Sequence, residues 1–255
     1  MITGLRLAAG FLTVLPVRPT EQITRPVARS AMLLGWLAVV PVGAVAALAG
    51  RDALLAGFPP VVAGAVVVGL VALGTRAMHL DGLADTVDGL GSGPDRDKAL
   101  RVMRSGDVGP MGVTALGLVL LVQAGCFGAL LDAPWGWLQV AGLVAVSRAA
   151  LAVGCRAGVP SARRDGLGAL FAGVVPPVWL AVLWGAAAAG LAGLGWLTGQ
   201  PWWQGVLAAV VALAAAWTLL ARCVRRFGGM TGDVLGALVE TALTGLVLVS
   251  ALQLG

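Results

Sequence analysis

The sequence predicts an all-α polytopic membrane protein, a bundle of about six to seven transmembrane helices with a cytoplasmic acidic loop, and three observations carry that prediction. Hydrophobic residues make up 59% of the 255 and charged residues 11%, with a mean hydropathy of +0.94. A water-soluble domain carries about 25% charged residues, so this chain lacks the polar surface to cover itself in water. Seven stretches approach the about 20 apolar residues that a helix needs to cross a bilayer. Lys and Arg, finally, gather on every second connection between those stretches.

The N-terminus reads Met1-Ile-Thr-Gly-Leu-Arg6 and continues as a short apolar run to Pro16. It ends in Leu15-Pro16-Val17-Arg18-Pro19 rather than in a small-residue cleavage site, which argues against a signal peptide and for a retained interfacial or re-entrant segment. Six clear spans follow, at 31–49, 61–78, 111–131, 138–155, 174–194 and 205–221. A seventh, 234–252, contains Glu240. Many of the 38 glycines lie within these runs, where small residues let membrane helices approach closely. The whole of 1–255 reads as a single integral membrane domain, with no soluble domain and no internal repeat.

Orientation follows from the basic residues. Arg18, Arg25 and Arg29 precede the first span. Arg96, Lys98, Arg101 and Arg104 follow the second, Arg156, Arg163 and Arg164 the fourth, and Arg222, Arg225 and Arg226 the sixth. The alternate connections carry only Arg51, beside Asp52, and Asp132. The positive-inside rule places the first set in the cytoplasm. Trp135, Trp137, Trp196, Trp202 and Trp203 then form an interfacial belt on the other face. The net charge of +5 is thus spread over loops and forms no patch for nucleic acid. Cys126, Cys155 and Cys223 are far apart, without ligand spacing, and read as reduced structural thiols.

The one long connection, 79–110, is the cytoplasmic loop with the chemistry. It opens His79-Leu-Asp81-Gly82-Leu-Ala-Asp85-Thr-Val-Asp88-Gly89. Spacings of four and three put Asp81, Asp85 and Asp88 on one narrow helical stripe. Three like charges there repel one another unless a cation intervenes, and hard carboxylate oxygens suit Mg²⁺ or Mn²⁺ rather than zinc. Lys98 and Arg101 share a helical face and, with Arg104, are candidates to hold phosphate. His79 is the only histidine; it is a general base, a group that orients a carboxylate, or a cap at the membrane interface.

A second constellation, Gly228-Gly229-Met230-Thr231-Gly232-Asp233 followed by Glu240, opens the last span. Thr231 or Asp233 caps that helix, and Asp233 and Glu240, seven residues apart, share a face. Glu240 then lies roughly 10 Å into the membrane at 1.5 Å per residue. Intramembrane charges such as Glu240 and Arg148 mark functional sites by default, the alternative being that they pair with one another. A transporter would instead spread ionisable residues at mid-membrane over broken helices with repeat symmetry.

The run from His79 to Gly89 resembles the signature of the cobalamin (5′-phosphate) synthase family, adenosylcobinamide-GDP ribazoletransferase. Gly229-Met-Thr-Gly-Asp233-Val-Leu-Gly236 with Glu240 resembles that family's second motif, and Phe11-Leu-Thr-Val-Leu-Pro16-Val17 its N-terminal one. One departure is Met103-Arg104-Ser105-Gly106-Asp107, where the resemblance leads one to expect the carboxylate closer to the arginine, so Asp107 takes no role. The resemblance implies a Mg²⁺-dependent transferase of the inner (cytoplasmic) membrane, with its active site facing the cytoplasm. It would join α-ribazole or its 5′-phosphate to adenosylcobinamide-GDP and release GMP. It implies Asp81, Asp85, Asp88 and Asp233 as metal ligands and His79, Asp85, Asp88 and Glu240 as catalytic groups. Lys98, Arg101 and Arg104 would take phosphate, while Arg148, Gly82, Gly89, Gly229, Thr231 and Gly232 support the site. Partners expected are the two substrates and the lipid bilayer, with no nucleic acid; a homo-oligomer is compatible with the sequence. Asp85-Thr-Val-Asp88-Gly89 is also similar to the metal element of membrane CDP-alcohol phosphotransferases, which makes a lipid head-group transferase the second enzymatic reading.

Overall fold

The computed structural model describes residues 1–20 and 22–252. Twelve helices follow in order among them: α1 Ile2–Leu12, α2 Arg25–Leu55, α3 Pro60–Gly74, α4 Met78–Gly91, α5 Arg96–Val102 and α6 Pro110–Leu131, then α7 Gly136–Ser147, α8 Ala150–Gly154, α9 Gly166–Phe171, α10 Pro177–Leu197, α11 Trp202–Phe227 and α12 Gly232–Ser250. Prolines in the first turns of α2, α3, α6 and α10 start these helices, because a missing N–H costs nothing where no intrahelical acceptor exists. Six helices are long and apolar enough to cross a membrane, counting α7 and α8 as one; α3 with α4 makes a seventh only if the bent pair is one span. The protein is a multi-pass membrane bundle, in agreement with the sequence.

Helix α12 is the central element. It is buried along nearly its whole length and packs on α4, α6, α7, α8 and α11. Helices α3 and α6 touch backbone to backbone where a Cβ on Gly64 would overlap the Ala124 carbonyl and one on Gly128 the Pro60 carbonyl. In lipid, where no hydrophobic driving force separates helix from solvent, such close contact is what holds helices together. The short α1 packs along α2 and, at 11 residues, is shorter than a helix that crosses a bilayer.

Three expectations about the spans change. The second span, expected over 61–78, ends at Gly74. Thr75 turns its hydroxyl back to the Val71 carbonyl, and Arg76 and Ala77 take left-handed conformations (φ 55° and 54°). Arg76 there donates to the Thr13 carbonyl at 2.7 Å, tying the break to the end of α1. Helix α4 leaves at 91° to α3 and, at 14 residues, is too short to cross a bilayer by itself. The stretch 79–110, expected as a loop, is largely helical: α4 carries the acidic stripe, and α5 is capped by Asp95, which accepts from the Asp97 and Lys98 amides. The fourth span, expected as one helix, breaks at Arg148 and Ala149, whose amides reach back only three residues, to Ala145 and Val146.

The connections that carry arginine meet at one end of the bundle. Arg96 donates to the Phe227 and Ala162 carbonyls, Arg163 to the Leu100 carbonyl, and Arg25 and Arg29 to the carbonyls of Gly173 and Val174. Lacking a Cβ at the α3–α6 contact is a requirement that can be tested. Gly64→Val should destabilise the bundle by about 2 kcal/mol, as overpacking does. Thermal unfolding in detergent, beside Gly69→Val at a position with open space around it, is the measurement.

Candidate active site

The site is built where α4 crosses the start of α12. A Cβ on Gly82 would stand 2.5 Å from the Asp233 carbonyl oxygen, and one on Gly236 3.1 Å from both Cα and O of His79. Any side chain at either glycine would push the helices apart, so these two residues set how closely the Asp81/Asp85 stripe and Asp233 approach. Thr231 caps α12: its hydroxyl oxygen accepts from the Val234 amide at 3.2 Å, and the hydroxyl also lies 3.2 Å from the Asp233 carboxylate. Gly229 lets the chain lie against 160–162, where Ala162 donates to the Met230 carbonyl and Met230 to the Pro160 carbonyl, each at 2.9 Å. Gly89 makes room for Met103 and Phe227, and Gly232 sits beside Leu167.

Asp85 feels the charges of Asp81, Asp233 and Asp88. Burial, then those three charges in that order, push its carboxyl up to about 7, with Arg163 acting the other way. Arg163 Nη1 stands 3.8 Å from Asp233 Oδ2. Asp81 is exposed and Asp85 half-buried, so this group is open at the arginine-rich end.

Asp88 is different. It is buried, and both of its oxygens are engaged: Oδ2 accepts from the Gly109 amide at 2.7 Å and Oδ1 from the Gly112 amide at 2.9 Å. Those amides are the free donors at the N-terminus of α6, where a carboxylate both completes the hydrogen bonds and complements the helix dipole. Asp88 therefore ties α4 to α6.

A second polar group lies deeper in the bundle. Glu240, buried on α12, accepts from Gln123 Nε2 of α6 at 2.9 Å. Arg148, wholly buried, donates through Nη1 to the Val144 carbonyl and the Ser147 hydroxyl, both at 2.9 Å. The direct Arg148–Glu240 ion pair set out as an alternative is not formed; the ion pairs among the described residues are Arg104–Asp165 and Arg163–Asp233. His79 is buried against α12, and neither ring nitrogen has a protein partner. Asp233 and Glu240, expected to share one site, thus face different neighbours.

Of the basic residues expected to hold phosphate, Lys98 and Arg101 are exposed on α5. Arg104 is occupied, its Nη2 donating to both Asp165 oxygens at 2.9 and 3.0 Å. Gln123 and Arg163 were not singled out from sequence as site residues. A lone amide within the apolar run of α6 was the available signal for Gln123, whereas Arg163 had registered only as a topology charge.

The donor set fits a hard divalent cation. Oxygen is the only ligand type present, and the repulsion and burial that raise Asp85 are what a cation would offset. No three of the described His, Cys, Asp or Glu side chains already converge on one point. A magnesium ion commonly takes one or two carboxylates and completes its shell with water and substrate phosphate, and Asp81, Asp85 and Asp233 are the carboxylates that would meet it here. A cavity of about 780 Å³ lies elsewhere, between α2, α7 and α10; its lining is mostly apolar and holds none of these acids.

The chain belongs to the cobalamin-5-phosphate synthase family, whose model matches residues 4–251. A relative from Nocardioides sp., named adenosylcobinamide-GDP ribazoletransferase, is 45% identical over 247 residues, 95% of this chain and 96% of its own length. Relatives of the same name from Frankia casuarinae and Bradyrhizobium diazoefficiens are 38% and 35% identical, over 100% and 98% of this chain and 96% and 94% of theirs. No solved structure matches the chain.

The contrast between Asp85 and Asp88 predicts opposite effects on stability. Asp88→Asn removes two charge-assisted bonds and should cost about 2 kcal/mol. Asp85→Asn should leave stability unchanged or raise it. Because the folded state holds the Asp85 proton up to about pH 7 and the unfolded chain releases it near 4, stability without metal should fall as pH rises through that window. Asp85→Asn should flatten the slope, as read by thermal unfolding at pH 4 to 8.

Proposed function

We propose that the chain is the transferase that joins α-ribazole, or its 5′-phosphate, to adenosylcobinamide-GDP with release of GMP, the last step in assembling the nucleotide loop of adenosylcobalamin. The observation that carries this reading is the family match over 4–251 together with relatives of that one name along nearly the full length. The carboxylate group of α4 and α12 supports it, because a diphosphate substrate needs its charge offset where the bond to the leaving group breaks.

In this reading Asp81, Asp85 and Asp233 would hold Mg²⁺. Bound there, the ion supplies Lewis-acid neutralisation of the diphosphate oxygens and of the departing GMP. Arg163 holds Asp233 in place and limits the negative charge of the group. Lys98 and Arg101, free on α5, contact substrate phosphate; Arg104 positions the 163–166 segment through Asp165 instead. The ribazole hydroxyl attacks the phosphorus next to the cobinamide aminopropanol, the bond to the GMP oxygen breaks, and the hydroxyl proton must leave. Of the four side chains assigned to catalysis from sequence, His79, Asp88 and Glu240 are buried and only Asp85 is open enough to receive it. Gln123 and Glu240 instead join α6 to α12, and Arg148 is bonded within its own helix.

The arginine-rich end, where the carboxylates lie, faces the cytoplasm of the inner membrane by the distribution of basic residues. Both charged substrates are then met without crossing the bilayer.

Detergent-purified protein with adenosylcobinamide-GDP and α-ribazole should release GMP only with a divalent cation: EDTA abolishes the reaction and Mg²⁺ restores it. Asp85→Asn and Asp233→Asn should each lower kcat by about a hundredfold or more with the fold intact. A wild type that is inert with α-ribazole and with its 5′-phosphate alike, under these conditions, would overturn the assignment. Undiminished variants would overturn the site alone.

A further inference from the structure

A second charged cluster lies on the far side of α4 from the carboxylates. Leu90, near the end of α4, lines a cleft of about 390 Å³ with Arg222, Arg225 and Arg226 from the last turns of α11. Leu90 follows Asp85 by five residues, which sets the two about 140° apart around the helix at 3.6 residues per turn. The cleft is therefore no extension of the diphosphate site.

Its three arginines are not equivalent. Arg226 is committed to protein: its guanidinium donates to the carbonyls of Gly93, Pro94 and Asp95, the turn that joins α4 to α5. Arg222 and Arg225 are exposed and make no side-chain hydrogen bond or ion pair among the described residues. Three guanidinium groups around one cleft with no carboxylate among its lining residues call for an anion from outside.

The same face of α11 indicates what carries that anion. Leu207, Val211, Ala214 and Thr218 are exposed at spacings of four, three and four, and Arg222 and Arg225 continue the stripe at four and three. Val210 and Trp217 flank it, also exposed. From Leu207 to Arg222 the stripe runs about 22 Å at 1.5 Å per residue, more than the roughly 15 Å of hydrocarbon in one leaflet. An apolar strip of leaflet length that ends in two free guanidiniums matches an acyl chain attached to a phosphate.

We propose that Arg222 and Arg225 bind the head-group phosphate of an anionic phospholipid, whose acyl chain lies along the 207–218 face of α11, and that Arg226 transmits occupancy to the 93–95 turn. A free phosphate compound shares the head-group chemistry but leaves the apolar stripe unused.

Native mass spectrometry of detergent-purified protein titrated with phosphatidylglycerol or phosphatidylcholine tests the site. Wild type should retain phosphatidylglycerol in preference to phosphatidylcholine, and R222Q/R225Q should lose about thirtyfold in affinity, each arginine contributing near an anionic head group as expected. R222K/R225K, which keeps the charge, should retain most of the binding, and circular dichroism checks that each variant is folded. Should the glutamine variant fail to fold, R222Q alone gives the same comparison with a smaller loss. Equal binding of the two lipids, or unaltered phosphatidylglycerol binding by the glutamine variants, overturns the site. Displacement of phosphatidylglycerol by millimolar inorganic phosphate overturns the lipid as its source. Hydrogen exchange at 93–97 should slow with phosphatidylglycerol in wild type and not in R222Q/R225Q; unchanged exchange overturns the transmission through Arg226. None of these readouts uses transferase activity, so they stand or fall apart from the proposed reaction.

Discussion

The contact between α4 and α12 governs the rest of the molecule, because it is made between backbones. At Gly82 and Gly236 the two helices approach so closely that a single methyl group on either would meet main-chain atoms of the other. A membrane helix has no water to escape from, so its association depends on contact distance and on satisfied polar groups. Here that distance also sets the spacing of carboxylates from two remote parts of the sequence. The residues that hold the helices together and those that carry charge alternate along the same two turns of α4.

Directing α4 onto α12 requires that the chain leave the membrane normal at the right point. Two consecutive left-handed residues and the Arg76 bridge to the end of α1 accomplish this. The short N-terminal helix therefore contributes to the site without touching it. At the other end of α4, Asp88 accepts the first free amides of α6, so a carboxylate that belongs by spacing to the acidic stripe instead fixes the helix that carries the stripe. One residue type at regular intervals thus divides into two tasks, charge on the open side and attachment on the buried side. Deeper in the bundle, the Glu240–Gln123 hydrogen bond joins α12 to α6 in the same manner, and Arg148 sits where the 147–150 break interrupts its own helix.

Much of this was legible in the sequence, and for definite reasons. Apolar runs of bilayer length, the alternation of basic loops and the His79–Gly89 pattern are local properties, readable residue by residue. The family followed from the same motifs, and the matches along 4–251 agree with it. The end of the second span at Gly74 was not legible, because Thr75, Arg76 and Ala77 are individually compatible with a continuing helix; the turn depends on carbonyls of residues 10 and 13. Arg163 and Gln123 stayed hidden for a related reason: each matters through a partner distant in sequence, Asp233 for one and Glu240 for the other.

The sequence by itself determined that this is a multi-pass helical membrane protein of this family and which of its connections carry the basic residues. Hydropathy, charge and spacing are written along the chain and need no third dimension. Only the tertiary structure decided that Asp233 of α12 comes near enough for its charge to act on Asp85 of the open stripe, that Asp88 is a helix anchor, and that Glu240 and His79 are buried away from it. Helical spacing puts Asp88 in line with Asp81 and Asp85, but the free amides of α6, brought alongside by packing, give its carboxylate a stronger place to be.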